Sequence, residues 1–257
     1  MAKYIVKRML FALVTIWAVA TITFFLMNMV PGGPFLSEKA ISPQATAALE
    51  AKYGLDKPLF QQYLTYMGDA AQGDFGDSLK QRGRTVMSII QNKFPVSARI
   101  GGLSVLVALL IGIPLGCIAA LNRGKFLDSL ISVIATCGIA VPSFVICTVL
   151  MYFLGVNLRL LPTMGLTSWK HYIMPVMALS FYPTAYIMRL MRSSMLDVLS
   201  QDYMRTAKAK GVSHFAMLFK HALRNAVLPV ITYVGPLLAY LVTGSFVVEK
   251  VFTIPGL

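Results

Sequence analysis

The sequence predicts an all-α polytopic membrane protein, and three observations support this prediction. Of its 257 residues, 57% are hydrophobic and 13% are charged, about half the charged fraction of an average soluble protein. Uncharged apolar runs long enough to cross a bilayer recur along the chain. They lack the alternation of apolar and polar residues that a membrane β-barrel requires, and a backbone within lipid must satisfy its own hydrogen bonds, which favours helices.

Five uncharged runs approach or exceed the roughly 20 residues that a helix needs to cross the hydrocarbon core. They cover residues 9–30, 100–121, 129–158, 171–188 and 225–248. The first is longer than the apolar part of a signal peptide, so we interpret it as a retained span. The fourth is short but ends at Arg189, whose long side chain can reach the interface. The sequence therefore predicts five spans.

The distribution of Lys and Arg predicts the orientation of the spans. If the N-terminus is cytosolic, the inner segments 1–8, 122–128 and 189–224 hold twelve basic residues, and the short outer segments 155–172 and 249–257 hold three. We therefore expect a cytosolic N-terminus and a multi-pass protein in contact with membrane lipid.

The chain divides by composition into three parts. Residues 1–30 form the cytosolic N-terminus and first span, residues 31–95 an external segment, and residues 96–257 the core with the other spans. In the external segment, Ser42 and Pro43 predict the start of a helix over Gln44–Tyr53, and Pro58 predicts the start of another. This segment is either a docking surface for an external partner or a packed cap over the spans.

Glycine and proline interrupt the second to fifth runs. Proline kinks helices, although both residues are common in membrane helices and glycine also permits close packing. Taken together, these residues favour a bundle that can rearrange over a static anchor. They are Gly112, Pro114, Gly116, Gly138, Pro142, Pro175, Pro183, Pro229, Gly235 and Pro236.

The spans carry no chemistry of their own. They contain no Asp, Glu, Lys or Arg, the groups that ion-coupled carriers use. The chain has no phosphate-binding G-x-x-x-x-G-K-[ST] motif and no hydrolase or metalloprotease motif, and His171, His214 and His221 are scattered. We therefore expect no catalytic residue, no metal site and no cofactor, and transport by this chain would need an external source of energy.

A polar, basic stretch at 193–224 separates the fourth and fifth runs and is longer than a reconnecting loop needs to be. Ser194 with Asp197 resembles a capping box, and Gly211 is a stop signal. The sequence predicts one helix between them, with an apolar stripe of Leu196, Leu199, Tyr203 and Ala207.

Ser213 predicts the start of a second helix in this stretch. Its apolar face would comprise Phe215, Leu218, Phe219 and Ala222. The helix pair is either an amphipathic element on the inner leaflet or a docking site for a soluble protein. The small residues at the turn favour a protein partner, since they allow a close approach to the backbone. Spans on both sides argue against a nucleic acid partner.

The residues of this turn resemble a known motif. The run Arg205-Thr206-Ala207-Lys208-Ala209-Lys210-Gly211, followed by His221-Ala222-Leu223, is similar to the EAA loop of ABC-importer permeases. Ala207, Gly211 and Leu223 match the general pattern, and Arg205 replaces its glutamate. The form R-T-A-K-A-K-G is that of the peptide and nickel branch of the family.

Other stretches resemble the same branch, and most closely its oligopeptide B-type subunits, over essentially the whole chain. They are Tyr4–Arg8, Phe24–Phe35, Tyr53–Leu59, Gly73–Ser78, Phe94–Ser97, Val141–Phe144, Arg192–Leu199 and Thr243–Leu257. The resemblance implies the transmembrane domain of a type I ABC importer in a bacterial cytoplasmic (inner) membrane. Because members usually continue beyond the Ile-Pro-Gly-Leu motif, we expect a sixth span to be missing from this sequence.

The resemblance also implies partners and site residues. The partners would be a second homologous permease subunit, two cytosolic ATPase subunits and an extracytoplasmic peptide-binding protein. Alternating access driven by the ATPase would move the loop, and the break at Val141, Pro142 and Ser143 is the candidate lining of the translocation path. The implied ATPase-coupling residues are Asp197, Tyr203, Arg205, Thr206, Ala207, Ala209 and Gly211.

Several functions remain open at this point. An ATP-driven oligopeptide permease subunit is the main interpretation. The alternatives are a permease for dipeptides, nickel or another small solute, and a non-transporting membrane scaffold or receptor.

Overall fold

The computed structural model describes residues 1–29, 54–78, 81 and 83–257. Its regular secondary structure in these residues is helical, with one isolated antiparallel bridge between Asp77 and Thr85. The all-α prediction is therefore confirmed. The chain forms two compact units, Met1–Ile89 and Ile90–Leu257.

The first unit contains helices α1 (Ala2–Met29) and α2 (Leu59–Ala71). Pro58 caps α2 as predicted, since its fixed φ suits the entry to a helix. The hydroxyls of Thr21 and Tyr63 lie 2.8 Å apart and join the two helices. The predicted helix over Gln44–Tyr53 lies outside the described residues.

The second unit, together with the first turn of the helix that leads into it, is built from short and long helices in chain order. They are α3 (Val86–Leu121), α4 (Phe126–Ala140), α5 (Ser143–Leu150) with a π-helical extension (Met151–Asn157), α6 (Lys170–Leu199), α7 (Asp202–Ala209), α8 (His214–Ala216) with a π-helical extension (Met217–Ala222), α9 (Leu223–Ala226), α10 (Leu228–Val242) and α11 (Phe246–Val251).

Helix α6 is the central element of this unit. It contacts α4, α5, α9, α10 and α11, and thirteen of its 30 residues are buried. Its fully buried side chains Ile187, Met191 and Met195 belong to the main hydrophobic core. The same core includes Ile100, Val105, Cys147, Val230, Leu237, Val248 and Phe252.

The glycines of the spans serve close packing between helices. A Cβ on Gly116 would lie 2.7 Å from Met191 Cβ, and one on Gly112 would lie 2.8 Å from Ile187 Cγ2. A Cβ on Gly138 would lie 2.7 Å from Ala185 Cβ. These distances are too short for real contacts, so glycine lets α3 and α4 approach α6 closely. These three glycines therefore serve helix packing, and whether the bundle can rearrange stays a prediction.

Only part of the predicted span count is recovered. Within the described residues, three helical stretches are long and apolar enough to cross a membrane: Ala2–Met29, Val86–Leu121 and Leu228–Val251, the last formed by α10 and α11. A fourth span results if α4 and α5, with its extension, are counted together despite a 103° bend between them. The fourth predicted span lies in α6. This helix is not apolar enough to pass the same test, because much of its surface packs against protein side chains and it can therefore carry more polar residues. The number five is not confirmed.

Candidate functional site

The polar stretch after the fourth run is not organised as predicted. Helix α6 continues through Ser194 to Leu199, because the side chains of Met191 and Met195 on one face of the helix are buried in the core. Ser194 is therefore no helix cap. The chain breaks at Gln201, whose backbone is extended (φ −71°, ψ 149°), and α7 starts at Asp202. The predicted single apolar stripe is thus divided between two helices.

Helix α7 has one buried face and one exposed face. Met204 and Ala207, three residues apart, are buried, whereas Arg205, Thr206 and Ala209 are exposed. Ala207, one of the predicted coupling residues, therefore packs its methyl group within this chain.

Gly211 ends α7 as the sequence predicts. Its φ is +75°, a left-handed conformation that glycine adopts without strain. Its N–H donates to the carbonyl of Lys208 at 3.0 Å, and the N–H of Val212 donates to that of Ala207 at 3.2 Å. Gly211 itself is exposed, so the turn presents backbone to the surface.

The second helix of the stretch departs from a regular α-helix. The N–H of Ala216 donates to Ser213 Oγ at 3.4 Å, which agrees with the predicted start. Leu218 and Ala222 are buried, but Phe215 and Phe219 are 71% and 56% exposed. The π-helical turn changes the period on which the predicted face depends, so the four residues do not share one buried face.

Tyr203 links the two parts of the stretch. Asn225 Nδ2 of α9 donates a hydrogen bond to Tyr203 Oη at 3.0 Å, which ties α7 to the segment that leads into α10. Asp197 is exposed near the end of α6, where its carbonyl accepts a hydrogen bond from Ser200 Oγ at 2.7 Å. Arg205 and Asp202 approach to 3.6 Å but are almost fully exposed, so this pair adds little to stability.

The break between α4 and α5 lies beside a cavity. Val141 is extended and Pro142 starts α5, and the helix axes meet at 103°. A cavity of about 560 Å³ is lined by Val141, Pro142 and Ser143 together with residues of α6 and α10. The three consecutive residues predicted for the translocation path thus line one cavity.

A second cavity of about 660 Å³ adjoins the first, since Ile139 and Tyr182 line both. We call the two cavities together the groove. Sequence reasoning did not identify most of its polar lining. These side chains are Ser132 and Thr136 of α4, Tyr182, Tyr186, Arg189, Arg192 and Ser193 of α6, Tyr233 and Tyr240 of α10, and Ser245.

Aromatic contacts organise the groove. The rings of Tyr186 and Tyr233 lie 4.5 Å apart between centroids, and those of Tyr182 and Tyr186 lie 6.4 Å apart. The spacing of four residues between Tyr182 and Tyr186 places both on one face of α6, a signal that the sequence carried. Their approach to Tyr233 depends on the packing of α6 against α10.

Asp128 and Arg192 form a second feature that the sequence did not reveal. Two hydrogen bonds join the guanidinium of Arg192 to the carboxylate of Asp128, and Asp128 also accepts from the N–H of Gly124 at 2.9 Å. The hydrogen bond to Asp128 raises the pKa of Arg192 above its ordinary value, so the arginine stays charged. The pair fixes α4 to α6 at the edge of the groove.

The described residues hold no group of three or more His, Cys, Asp or Glu side chains placed to bind a metal ion. The polar chemistry of the groove is that of hydroxyl groups and of the guanidinium groups of Arg189 and Arg192.

Comparison with known proteins identifies the family. Residues 112–257 match the family described as binding-protein-dependent transport system inner membrane component, and residues 1–101 match the N-terminal family of the same systems. The dipeptide transport system permease protein DppB of Bacillus subtilis (strain 168) is 46% identical over 257 residues, which is 100% of this chain and 83% of that protein.

Oligopeptide permeases are similar over the same length. The oligopeptide transport system permease protein OppB of Haemophilus influenzae is 42% identical over 259 residues, and that of Salmonella typhimurium is 40% identical. Each alignment covers 100% of this chain and 85% of the relative. The chain belongs to the family of binding-protein-dependent transport system inner membrane components, and its all-α membrane fold is that of a type I ABC-importer permease subunit.

Proposed function

We propose that the chain is one of two permease subunits of an ATP-driven peptide importer and that the groove is its half of the translocation path. The observation that carries this proposal is the lining of the groove by hydroxyl groups beside the broken span. Relatives named as dipeptide and as oligopeptide permeases both support a peptide cargo.

The groove suits a cargo of variable sequence. Peptides share hydrogen-bonding amide groups, whereas their side chains differ in size and charge. Tyrosine, serine and threonine hydroxyls can both donate and accept hydrogen bonds, and they carry no charge that would exclude particular side chains. Tyr182 and Tyr240 are 49% and 73% exposed in the single chain, which leaves a second permease subunit to complete the path.

The path and the cytosolic stretch are mechanically joined by α6. This helix lines the groove through Tyr182 and Tyr186 and runs without interruption to Leu199, and only two residues separate it from α7. A displacement of α7 would therefore move a wall of the groove. The break at Pro142 gives α4 and α5 a place to change their angle as the wall moves.

The ATPase contact is proposed for the exposed side of the turn after α6. Arg205, Thr206, Ala209 and Gly211 would contact the ATPase. Ala207 and Tyr203 would hold α7 to its own chain, and Asp197 would support the end of α6.

The remaining partners follow from the same proposal. They are a second homologous permease, two cytosolic ATPase subunits that hydrolyse the ATP, and an extracytoplasmic peptide-binding protein. The excess of basic residues in segments 1–8, 122–128 and 189–224 supports a cytosolic N-terminus in the bacterial inner membrane. Residues 31–95 would then be external, and residues 96–257 would form the permease core.

A substitution at Ala209 tests the proposal. Ala209→Trp adds bulk at the exposed turn, so the ATPase subunits should no longer co-purify and peptide uptake should fall at least tenfold, while the amount of chain in the membrane stays constant. Arg123→Trp places the same tryptophan side chain in another predicted cytosolic segment and should leave both unchanged. Full co-purification and uptake with Ala209→Trp would refute the proposed contact.

The alternatives give different results in the same assay. A scaffold or receptor would show no ATP-dependent uptake of any peptide by the wild-type complex. A permease for nickel or another small solute would take up that solute, and peptides in excess would not compete with it.

A further inference from the structure

One face of α6 forms a polar stripe along the groove. Tyr182, Tyr186, Arg189 and Ser193 follow one another at spacings of four, three and four residues, and all four line the second cavity. Such spacings place side chains on one face of a helix. Ser132 and Thr136 of α4, four residues apart, line the same cavity. The stripe is thus a row of hydroxyl groups that contains one cation, Arg189, between Tyr186 and Ser193.

The two arginines at this end of the groove differ in their surroundings. Both carboxylate oxygens of Asp128 accept hydrogen bonds from Arg192, and the side chain of Arg192 is 32% exposed. Arg189, one turn away, is exposed. In the part of the chain that the structure describes, the side-chain ion pairs are Arg192–Asp128 and Arg205–Asp202, so Arg189 reaches the groove without an acidic partner.

We propose that Arg189 binds the terminal carboxylate of a peptide in the groove, and that the hydroxyls of Tyr182 and Tyr186 bind the adjoining amide groups. This inference rests on the proposed function. Peptides of any sequence share only their backbone and their two termini, so a site that accepts many sequences has to recognise these parts. A guanidinium matches a carboxylate with two parallel, charge-assisted hydrogen bonds, which fix the geometry of the contact and strengthen it.

A phospholipid headgroup is the competing occupant, because arginines near the ends of spans often contact lipid phosphates. The surroundings of Arg189 favour the peptide. Its cavity is lined by Ser132, Thr136, Tyr182 and Tyr186, and these hydroxyl groups offer hydrogen bonds that an acyl chain cannot use.

The test compares a tripeptide with its C-terminal amide in the complete transporter. Arg189→Gln should reduce the preference for the free acid over the amide about tenfold, mainly through KM, the effect of losing a charge-assisted hydrogen bond. Arg189→Lys, which keeps the charge, should restore part of the preference. Arg123→Gln removes an exposed arginine away from the groove and should leave the preference unchanged.

Any preference of the external binding protein for peptide termini is the same for each variant and cancels in the comparison. Equilibrium binding of a fluorescent tripeptide and its amide to the purified complex, without the binding protein, gives an independent measure. Basal ATPase activity reports whether each variant complex is intact.

Two results would overturn the inference while leaving the proposed function in place. One is an equal loss of acid and amide uptake with Arg189→Gln. The other is an unchanged acid preference together with a loss of co-purifying anionic lipid, which would assign Arg189 to the bilayer. A wild-type complex that transports neither peptide would instead refute the proposed function itself.

Discussion

Arg192 and Asp128 form a two-point contact between α6 and α4, with Nε donating to Oδ1 at 2.5 Å and Nη2 donating to Oδ2 at 2.8 Å. The carboxylate is buried, and the N–H of Gly124 supplies it with a third donor. Two parallel hydrogen bonds fix orientation as well as distance. The contact therefore holds the start of the broken span to the helix that leads towards the turn at Gly211, the proposed coupling turn.

Asp128→Asn should destabilise the protein, because the substitution leaves the half-buried guanidinium of Arg192 without its anion. Hydrogen bonds to charged groups contribute about 1.5–3 kcal/mol, so we expect a loss of about 2 kcal/mol. The measurement is thermal unfolding of the purified chain in detergent. Asp69→Asn, at an exposed aspartate, should change stability by less than about 0.5 kcal/mol. Equal effects of the two substitutions would contradict the role of the pair.

Gly101 and Gly102 are neighbours in α3 that should respond oppositely to alanine. A Cβ on Gly101 would overlap the backbone carbonyl of Leu241 in α10, whereas a Cβ on Gly102 meets nothing within 4 Å. Gly101→Ala should cost about 1–3 kcal/mol through overpacking. Gly102→Ala should stabilise by up to about 1 kcal/mol, since alanine favours the helix. Chemical denaturation in detergent measures the free energy of unfolding of both variants. A change in the same direction in both would contradict the packing.

The sequence predicts the features of this fold that depend on composition and on local pattern. Apolar runs locate α1, α3 and α10, and the stop at Gly211 follows from the conformation that glycine alone adopts without strain. Hydropathy is less informative for α6, because it reports the transfer of side chains to lipid, whereas thirteen of the 30 residues of α6 are buried within the protein. For the same reason the length of α6 beyond Ser194 depends on the burial of Met195, a tertiary contact.

The candidate site was predictable only in part. The break at Pro142 and the position of the coupling turn are local signals. The groove is not, because it forms where α4, α6 and α10 meet, and Tyr186 contacts Tyr233 across a separation of many residues. Likewise, Asp128 and Arg192 are 64 residues apart, and no helical or strand period relates them.

Ser97 should matter for stability because it satisfies a buried carboxylate. Ser97 Oγ donates to Glu249 Oε1 at 2.7 Å, and the two residues are only 1% and 7% exposed. Ser97→Ala should cost about 1–3 kcal/mol, the usual effect of leaving a buried polar group unpaired. Glu249→Gln should lower the stability of the Ser97→Ala variant less than it lowers the stability of the wild type. A double-mutant cycle by thermal unfolding measures this coupling, and a coupling energy near zero would contradict the contact.

Gly211 provides a graded test of the coupling turn, because its φ of +75° is unfavourable for residues with a Cβ. Alanine should strain the turn by about 1–2 kcal/mol and displace α7, whereas asparagine tolerates this conformation better. We therefore expect ATP-dependent peptide uptake to fall more in Gly211→Ala than in Gly211→Asn, with unchanged amounts of chain in the membrane. Co-purification of the ATPase subunits should follow the same order. Because Gly211 has no neighbour within 4 Å for a Cβ to meet, equal losses in the two variants would show that side-chain bulk at the partner contact, rather than backbone strain, controls coupling.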